Sequence, residues 1–211
     1  MIYSEKTQKA VSVTDWYKYD IRQMADAEYE KWFSLMSAQK QKRVNAFRFY
    51  EDRKRTVAGE MLVRNAVASK FDIQPESISI YTAENGKPYI KNLPVFFNIS
   101  HSEDFVVCAV SDEEIGIDIE KIRYINPSVA KKFFTKDEIK YVFGEKEPDS
   151  FKDNMPEDVM FRFSEVWTYK EACVKFTGKG LSDLGSEIDV NSSKFTFSDY
   201  IVTIVTAKNK A

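Results

Sequence analysis

The sequence lacks any long hydrophobic run, since its longest apolar stretches, such as FVVCAV at residues 105–110, fall far short of the ~20 residues that span a bilayer. Its first residues, MIYSEKTQKAVSV, lack the apolar centre of a signal peptide, and Cys108 and Cys173 are not spaced as Cys-x-x-Cys. Neither sign of charge is in clear excess, with 31 Lys and Arg against 33 Asp and Glu. We therefore predict a cytoplasmic protein that binds neither membranes nor nucleic acid.

Several common catalytic arrangements are also missing. The sequence shows no Ser-His-Asp relay, no Cys/His cluster with zinc-binding spacing and no Walker-type glycine loop. His101 is the only histidine, and a lone histidine more often makes a structural hydrogen bond than does chemistry. These absences weigh against relay hydrolases, zinc enzymes and P-loop proteins.

The composition supplies ample material for a core, because 43% of the 211 residues are hydrophobic and 14% are aromatic. This length fits one large domain or two small ones. In the first part of the chain, periodicity and turn signals predict two helices within 26–70, a hairpin within 77–90 around Asn85-Gly86 and three strands within 95–122. After these strands they predict a helix that begins at the capping box Thr135-x-x-Glu138, followed by a surface loop over 144–158. A helix from about 164 to 176 and strands in the tail complete the prediction.

Two carboxylates lie two residues apart within IGIDIEKI, residues 115–122. The strand period of two places Asp118 and Glu120 on one face, with Cα atoms ~6.6 Å apart. A divalent cation would remove their mutual repulsion, and hard oxygen ligands favour Mg²⁺, Mn²⁺ or Ca²⁺ over zinc. The alternative is a half-solvated strand face whose acids pair with nearby lysines, and this motif alone does not decide between the two.

The helix predicted over 164–176 has two distinct stripes. Its apolar stripe comprises Val166, Tyr169, Cys173 and Phe176, which makes Cys173 a core residue rather than a nucleophile. The opposite, polar side carries Ser164, Thr168, Glu171 and Lys175. An exposed ion pair between the last two, at i,i+4, would be worth ~0.3–0.5 kcal/mol. A carboxylate one turn from a lysine is also what a metal-assisted phosphoryl-transfer site requires.

Basic residues are concentrated in SAQKQKRVNAFRFYEDRKRT, residues 37–56, although the whole chain is slightly acidic. Taken alone, this segment is interpreted as a solvated helix face that Glu51 and Asp52 partly balance.

Together these motifs resemble the paired signature of the 4'-phosphopantetheinyl transferase superfamily. In this sequence GIDIEKI is followed, at residues 167–181, by WTYKEACVKFTGKGL. The earlier segments NGKP, FNISHSED and RKRT resemble the long, single-chain Sfp-type branch rather than the short trimeric branch. The resemblance covers roughly residues 37 to 190, with the motifs in the expected order.

The resemblance implies an α/β (α+β) fold with two similar halves, residues 1–105 and 106–211, in a pseudo-two-fold arrangement with the active site in the cleft between them. It implies a monomeric, Mg²⁺-dependent enzyme, with Mn²⁺ as a possible substitute. The implied reaction transfers the 4'-phosphopantetheine arm of coenzyme A to a serine of an apo acyl or peptidyl carrier protein and releases adenosine 3',5'-bisphosphate. Which carrier is served, in fatty-acid, polyketide or nonribosomal peptide synthesis, is left open.

The resemblance also implies roles for individual residues. The implied metal ligands are Asp118, Glu120 and Glu171, and Glu171 is also implied as the base for the serine hydroxyl. The implied catalytic lysine on the coenzyme A phosphates is Lys175, and Lys170 lies beside the catalytic glutamate. The other implied coenzyme A contacts are the basic residues Lys40, Arg43 and Arg55, the adenine-side turn Gly86, Lys87 and Pro88, and the phosphate contacts Ser100 and His101.

Residues 127–143 are interpreted as a helix, and this helix and the loop after it lie where members of the family are thought to meet the carrier protein. Because carrier proteins are acidic, Lys131, Lys132 and Lys136 are predicted to steer the carrier, with a solvated helix face as the alternative.

Two other functions remain open. A catalytically silent relative could bind coenzyme A or a carrier protein as a regulator, but it would not need the repelling charges of Asp118, Glu120 and Glu171 beside Lys175. A different Mg²⁺-dependent phosphate enzyme would leave GKP, SHS and the basic segment as coincidences.

Overall fold

The structure, a computed structural model, describes residues 3–6, 15–83, 86–178 and 188–208. The helices within these ranges are α1 (Asp26–Ser34), α2 (Ala38–Asn45), α3 (Tyr50–Phe71), α4 (Ser128–Phe133), α5 (Lys136–Phe143) and α6 (Glu157–Thr177). The strands are β1 (Tyr3–Lys6), β2 (Asp15–Asp20), β3 (Ile80–Thr82), β4 (Pro88–Ile90), β5 (Phe96–Ser102), β6 (Phe105–Ser111), β7 (Ile115–Lys121), β8 (Val190–Phe197) and β9 (Tyr200–Ala207). The predicted mixed α and β fold is confirmed.

The chain divides into two compact units, Met1–Ile115 and Gly116–Lys210. The first unit ends later in the chain than residue 105 because β6 pairs with β2 and β5 and so belongs to the first sheet. The pseudo-two-fold relation between the halves stays a prediction.

In the first unit, α3 packs on an antiparallel sheet with the strand order β1-β2-β6-β5. The core between them is formed by apolar side chains of α3, such as Met61 and Val67, and of the sheet, such as Val106 and Cys108. The helix lies close to β5 at Gly59, where a Cβ atom would be 3.2 Å from Cγ2 of Ile99. Burial therefore fixes this long helix on the face of the sheet.

The prediction of two helices within residues 26–70 is wrong, because the structure has three: α1, α2 and α3. The additional start is at Ser37, whose hydroxyl accepts a hydrogen bond from the backbone N–H of Lys40 and caps α2. No glycine or proline marks the two breaks between these helices, so the usual breaker signals are missing.

The predicted hairpin is confirmed, since β3 pairs with β4 in the register Ile80 to Ile90. Asn85, which the turn prediction used, lies outside the described residues. The three strands predicted within 95–122 are confirmed as β5, β6 and β7.

In the second unit, α6 packs on a sheet with the strand order β7-β9-β8. The predicted apolar stripe of this helix is confirmed, because Cys173 is buried with Val205 of β9 and packs with Tyr169 and Phe176. Thr168 is also buried, and its hydroxyl lies 2.9 Å from that of Thr203 on β9. At Thr168, therefore, the stripe that the sequence marks as polar faces the sheet rather than solvent.

Two boundaries in the second unit differ from the predictions. Residues 127–143 form α4 and α5 instead of one helix, because Thr135 is extended and caps α5 in a complete capping box with Glu138. Helix α6 begins at Glu157, well before residue 164, and its first turn carries Glu157 and Asp158, which suit a helix N-terminus.

The predicted surface loop over 144–158 is partly wrong as well. Phe151 lies in a short 3₁₀ helix, is buried, and packs against Phe143 with ring centroids 5.3 Å apart. Among the described residues, no helix is both long and apolar enough to cross a membrane.

Candidate functional site

The contact between β7 and α6 is made possible by Gly116. A Cβ atom at this position would lie 2.0 Å from the carbonyl oxygen of Ala172 and 2.8 Å from the backbone nitrogen of Phe176. Both neighbours are backbone atoms of the helix, so a side chain could enter only if α6 moved away from the strand. Glycine therefore sets the short distance between β7 and the last turns of α6.

This short distance brings together the predicted residues Asp118 and Lys175. The Nζ atom of Lys175 donates a hydrogen bond of 2.6 Å to Oδ1 of Asp118. Asp118 is only 4% exposed, whereas about a quarter of the Lys175 side chain reaches solvent. A carboxylate this deeply buried requires a positive partner, and α6 supplies one.

Glu171 belongs to the same cluster. Burial raises the pKa of its carboxyl group, the negative charge of Asp118 raises it further, and the ammonium group of Lys175 lowers it. Glu171 therefore lies within electrostatic reach of both residues. A carboxylate with a raised pKa is the better proton acceptor near neutral pH.

The three predicted metal ligands are not gathered into one ligand cluster. In the described parts of the chain, no group of three or more His, Cys, Asp or Glu side chains is close enough to hold a metal ion. The positive charge beside Asp118 comes instead from Lys175. This contact agrees with the alternative stated for the IGIDIEKI segment, in which its acids pair with nearby lysines. Glu120 lies two residues beyond Asp118 on β7 and is partly exposed.

In the first unit, Arg55 is brought to the turn between β5 and β6. Its Nε donates a hydrogen bond of 2.6 Å to the carbonyl oxygen of Glu103, and Nη1 lies 2.5 Å from Oδ1 of Asp52. Glu103 has a positive φ of 48°, so the guanidinium supports a backbone conformation that few side chains favour. Arg55 thus lies near the end of β5, which carries Ser100 and His101.

Ser100 and His101 point to opposite faces of β5, with Ser100 buried and His101 exposed. The turn predicted to lie on the adenine side of coenzyme A begins at Gly86, which has a φ of +84°. Lys87 forms a 2.5 Å ion pair with Glu114, and Lys87, Pro88 and Glu114 line a cavity of about 320 Å³.

The basic residues of α2 differ in their surroundings. Arg43 is exposed, whereas Nζ of Lys40 lies 2.5 Å from Oε2 of Glu60, which is only 2% exposed. The other oxygen of Glu60 accepts from the buried Arg64, whose guanidinium also donates to the carbonyl oxygens of Leu35, Pro75 and Ile78. Sequence reasoning missed this network, although Glu60 and Arg64 stand at i,i+4 inside a largely apolar part of α3.

An ion pair of a buried lysine was also missed. Lys170, the neighbour of Glu171, is 6% exposed, and its Nζ lies 2.9 Å from Oε2 of Glu138. The capping box identified Glu138 as a helix cap but gave no sign of its partner on α6.

Of the predicted carrier-steering lysines, Lys131 forms an ion pair with Asp149 of its own unit. The ammonium group of Lys132 lies 4.9 Å from the ring centroid of Phe133. Lys136 is exposed in the first turn of α5. The carrier-steering role of all three stays a prediction.

Comparisons with known proteins match both units of the chain. A family model described as 4'-phosphopantetheinyl transferase, N-terminal, matches residues 23–113, and one for the 4'-phosphopantetheinyl transferase superfamily matches residues 114–208. A 4'-phosphopantetheinyl transferase of Bacillus subtilis is 39% identical over 165 residues, which cover 78% of this chain and 70% of the relative.

Two further relatives agree with these matches. The 4'-phosphopantetheinyl transferase Sfp of Bacillus subtilis (strain 168) is 37% identical, with coverage of 78% of this chain and 70% of the relative. The 4'-phosphopantetheinyl transferase HetI of Nostoc sp. is 30% identical, with coverage of 78% and 68%.

Proposed function

Because the chain is an enzyme of the Sfp-type branch of the 4'-phosphopantetheinyl transferase superfamily, we propose that it transfers the phosphopantetheine arm of coenzyme A to a serine of an apo carrier protein. The observation that carries this proposal is the cluster of Asp118, Glu171 and Lys175, in which two acids and a lysine from β7 and α6 lie together. This cluster combines a proton acceptor with a cation, as phosphoryl transfer requires.

The chain's own carboxylates fit a divalent metal ion. Asp118 and Glu171 are close enough for the charge of one to raise the pKa of the other, and such repulsion is relieved by a cation. Their hard oxygen atoms suit Mg²⁺. Asp118 and Glu171 would hold this ion, which would supply positive charge beside the pyrophosphate of coenzyme A. Glu120 stays a predicted third ligand, because no three such side chains come together in the described part of the chain.

The remaining chemistry follows from the side chains. Glu171 accepts the proton of the carrier serine hydroxyl, and the serine oxygen then forms a bond to the phosphorus next to pantetheine. The bond from this phosphorus to the bridging oxygen breaks, and that oxygen leaves with adenosine 3',5'-bisphosphate. Lys175 offsets negative charge on the transferring phosphate, and Asp118 holds its ammonium group in place.

A metal-removal experiment tests the reaction. The enzyme is incubated with coenzyme A and a panel of apo acyl and peptidyl carrier proteins, and the carrier mass is measured with Mg²⁺, with EDTA, and after Mg²⁺ is restored. We expect the phosphopantetheine mass on at least one carrier, its loss in EDTA, and its return with Mg²⁺. Modification that continues unchanged in EDTA would show that the carboxylates do not act through a metal ion.

The same panel separates the enzyme from a silent regulator. A regulator would bind coenzyme A or a carrier while every carrier kept its apo mass. The intact Asp118, Glu171 and Lys175 favour the enzyme, because a protein that only binds has no need of a buried carboxylate beside a second acid.

Replacing Arg55 by alanine tests its implied role at the coenzyme A phosphates. We expect coenzyme A to bind about 10- to 150-fold more weakly, because a charge-assisted contact to the 3'-phosphate is worth about 1.5–3 kcal/mol. The affinity for 3'-dephospho-coenzyme A should change much less, and calorimetry with both ligands gives the comparison.

Arg53→Ala is the matched control, because the Arg53 guanidinium donates to the carbonyl oxygens of Phe47 and Asn45 within its own unit. It should affect both ligands alike. If Arg55→Ala weakened the binding of both ligands equally, Arg55 would act only through its contact with the β5–β6 turn and not at the 3'-phosphate.

A further inference from the structure

An ion pair between the buried Lys170 and the partly buried Glu138 joins α5 to α6 one residue away from the proposed base. Oε2 of Glu138 accepts from Nζ of Lys170 at 2.9 Å and from the backbone N–H of Thr135 at 2.6 Å. One carboxylate oxygen therefore completes the capping box of α5 and also binds the catalytic helix. Position 138 couples the start of one helix to a defined turn of the other.

This pair is poorly explained as a device for stability alone. Lysine is rarely buried to this degree, and removing an ammonium group from water costs several kcal/mol. Apolar residues of similar size would usually fill the same space with equal or greater stability. The pair does, however, fix the relative position of the two groups that it joins, because the buried ammonium group of Lys170 cannot leave Glu138 without losing its partner.

Lys170 and Glu171 are consecutive residues of α6, so their side chains leave the helix about 100° apart. Lys170 contacts α5 through Glu138, whereas Glu171 lies in the electrostatic environment of Asp118 and Lys175. A rotation or shift of α6 at this turn would therefore break the Lys170 contact and displace Glu171 at the same time. The contact with α5 defines the orientation in which Glu171 joins its cluster.

We propose that Glu138 and Lys170 are positioning residues, which hold the catalytic turn of α6 against α5 so that Glu171 is correctly placed to accept the serine proton. This inference rests on the proposed function. It assigns to the capping residue of α5 a role in turnover that acts through the position of α6.

The experiment compares Lys170→Gln, Lys170→Arg and Glu138→Gln with the wild-type enzyme. Glutamine at 138 can still accept the hydrogen bond from Thr135, so α5 keeps its cap while the charge is lost. The measurements are kcat for carrier modification, the Kd for coenzyme A by calorimetry, and the midpoint of thermal unfolding. Lys194→Met is the matched control, because Lys194 also pairs with a glutamate of α6, Glu165, but at the surface.

We expect Lys170→Gln and Glu138→Gln each to lower kcat by at least about tenfold, with the Kd for coenzyme A within about twofold of wild type. This result is expected because each change would misplace Glu171 without removing a contact to coenzyme A. Lys170→Arg should recover most of kcat, and Lys194→Met should leave it unchanged. The double variant should lose no more than the worse single variant, because both changes remove the same contact.

Two results would overturn the inference while the wild-type enzyme modifies carriers. One is a normal kcat in Lys170→Gln. The other is a fall in kcat that only follows a falling fraction of folded protein, with coenzyme A binding lost in parallel. A wild-type enzyme that modifies no carrier refutes the proposed function instead, so the two failures are distinguishable.

Discussion

Replacement of Asp118 by asparagine is expected to lower carrier modification by about 10²–10³-fold, which is the usual cost of removing one charged or polar group from a preorganised site. Asparagine keeps the shape of the side chain and can still accept from Lys175, but it removes the buried negative charge. The ammonium group then loses its counter-ion, and a metal ion loses a proposed ligand. Initial rates with saturating coenzyme A and carrier measure the effect.

Folding should suffer far less than turnover in this variant. The charge-assisted hydrogen bond is replaced by a weaker one, so the free energy of unfolding should fall by no more than about 2 kcal/mol. Loss of the Asp118 charge should also lower the pKa of Glu171, since that charge is the second cause of its rise.

Asp199→Asn provides the control for Asp118→Asn. Asp199 pairs with Lys121 at 3.5 Å in the same unit, but about half of its side chain is exposed. Exposed pairs contribute about 0–1 kcal/mol, so this variant should keep both its stability and its activity. Full activity in Asp118→Asn, or equal losses in the two variants, would refute a catalytic role for Asp118.

Gly116→Ala is expected to be among the most destabilising single methyl additions in the second unit. The new Cβ atom would meet the carbonyl oxygen of Ala172 at 2.0 Å and the nitrogen of Phe176 at 2.8 Å, so α6 must move off β7. Overpacking of this kind costs about 1–3 kcal/mol, and a clash with two backbone atoms belongs at or above the upper end. Urea unfolding, followed by circular dichroism, measures the loss.

Activity should fall with the same substitution, even in the molecules that remain folded. Movement of α6 would lengthen the 2.6 Å contact between Asp118 and Lys175, because the two residues lie on the two elements that must separate. The expected signature is a lower kcat per folded molecule, with the folded fraction taken from the same sample.

Gly59→Ala is the matched control in the first unit. A Cβ atom there would be 3.2 Å from a methyl group of Ile99, a side chain that can adjust. Alanine gains about 1 kcal/mol over glycine inside a helix, which offsets the tight contact. A milder effect of Gly116→Ala than of Gly59→Ala would contradict the close packing of α6 on β7.

Local sequence patterns were sufficient for much of the fold. Strand alternation identified β5, β6 and β7, and the Thr135 capping box marked the start of α5. The helix breaks before Ser37 and Tyr50 could not be predicted in this way, because no glycine or proline marks them and tertiary packing decides where the helices end.

Ion pairs between different helices and strands could not be predicted from the sequence. Spacing suggested that Lys175 faces Glu171 on its own helix, whereas its ammonium group binds Asp118 on β7. Likewise, Lys40 and Lys170 were expected near ligands or catalytic groups, but Lys40 contacts the buried Glu60, and Lys170 contacts the partly buried Glu138. Side chains find such partners through tertiary contacts, which periodicity along one element does not encode.

The most direct test of the central claim is a product balance on a single apo carrier protein, with the carrier mass and the released nucleotide measured in the same reaction. We predict that each carrier that gains the phosphopantetheine mass is matched by one molecule of adenosine 3',5'-bisphosphate, and that Asp118→Asn slows both products equally. Apo carriers that stay unmodified across the panel, while the wild-type protein binds coenzyme A, would contradict the transferase and leave the silent regulator.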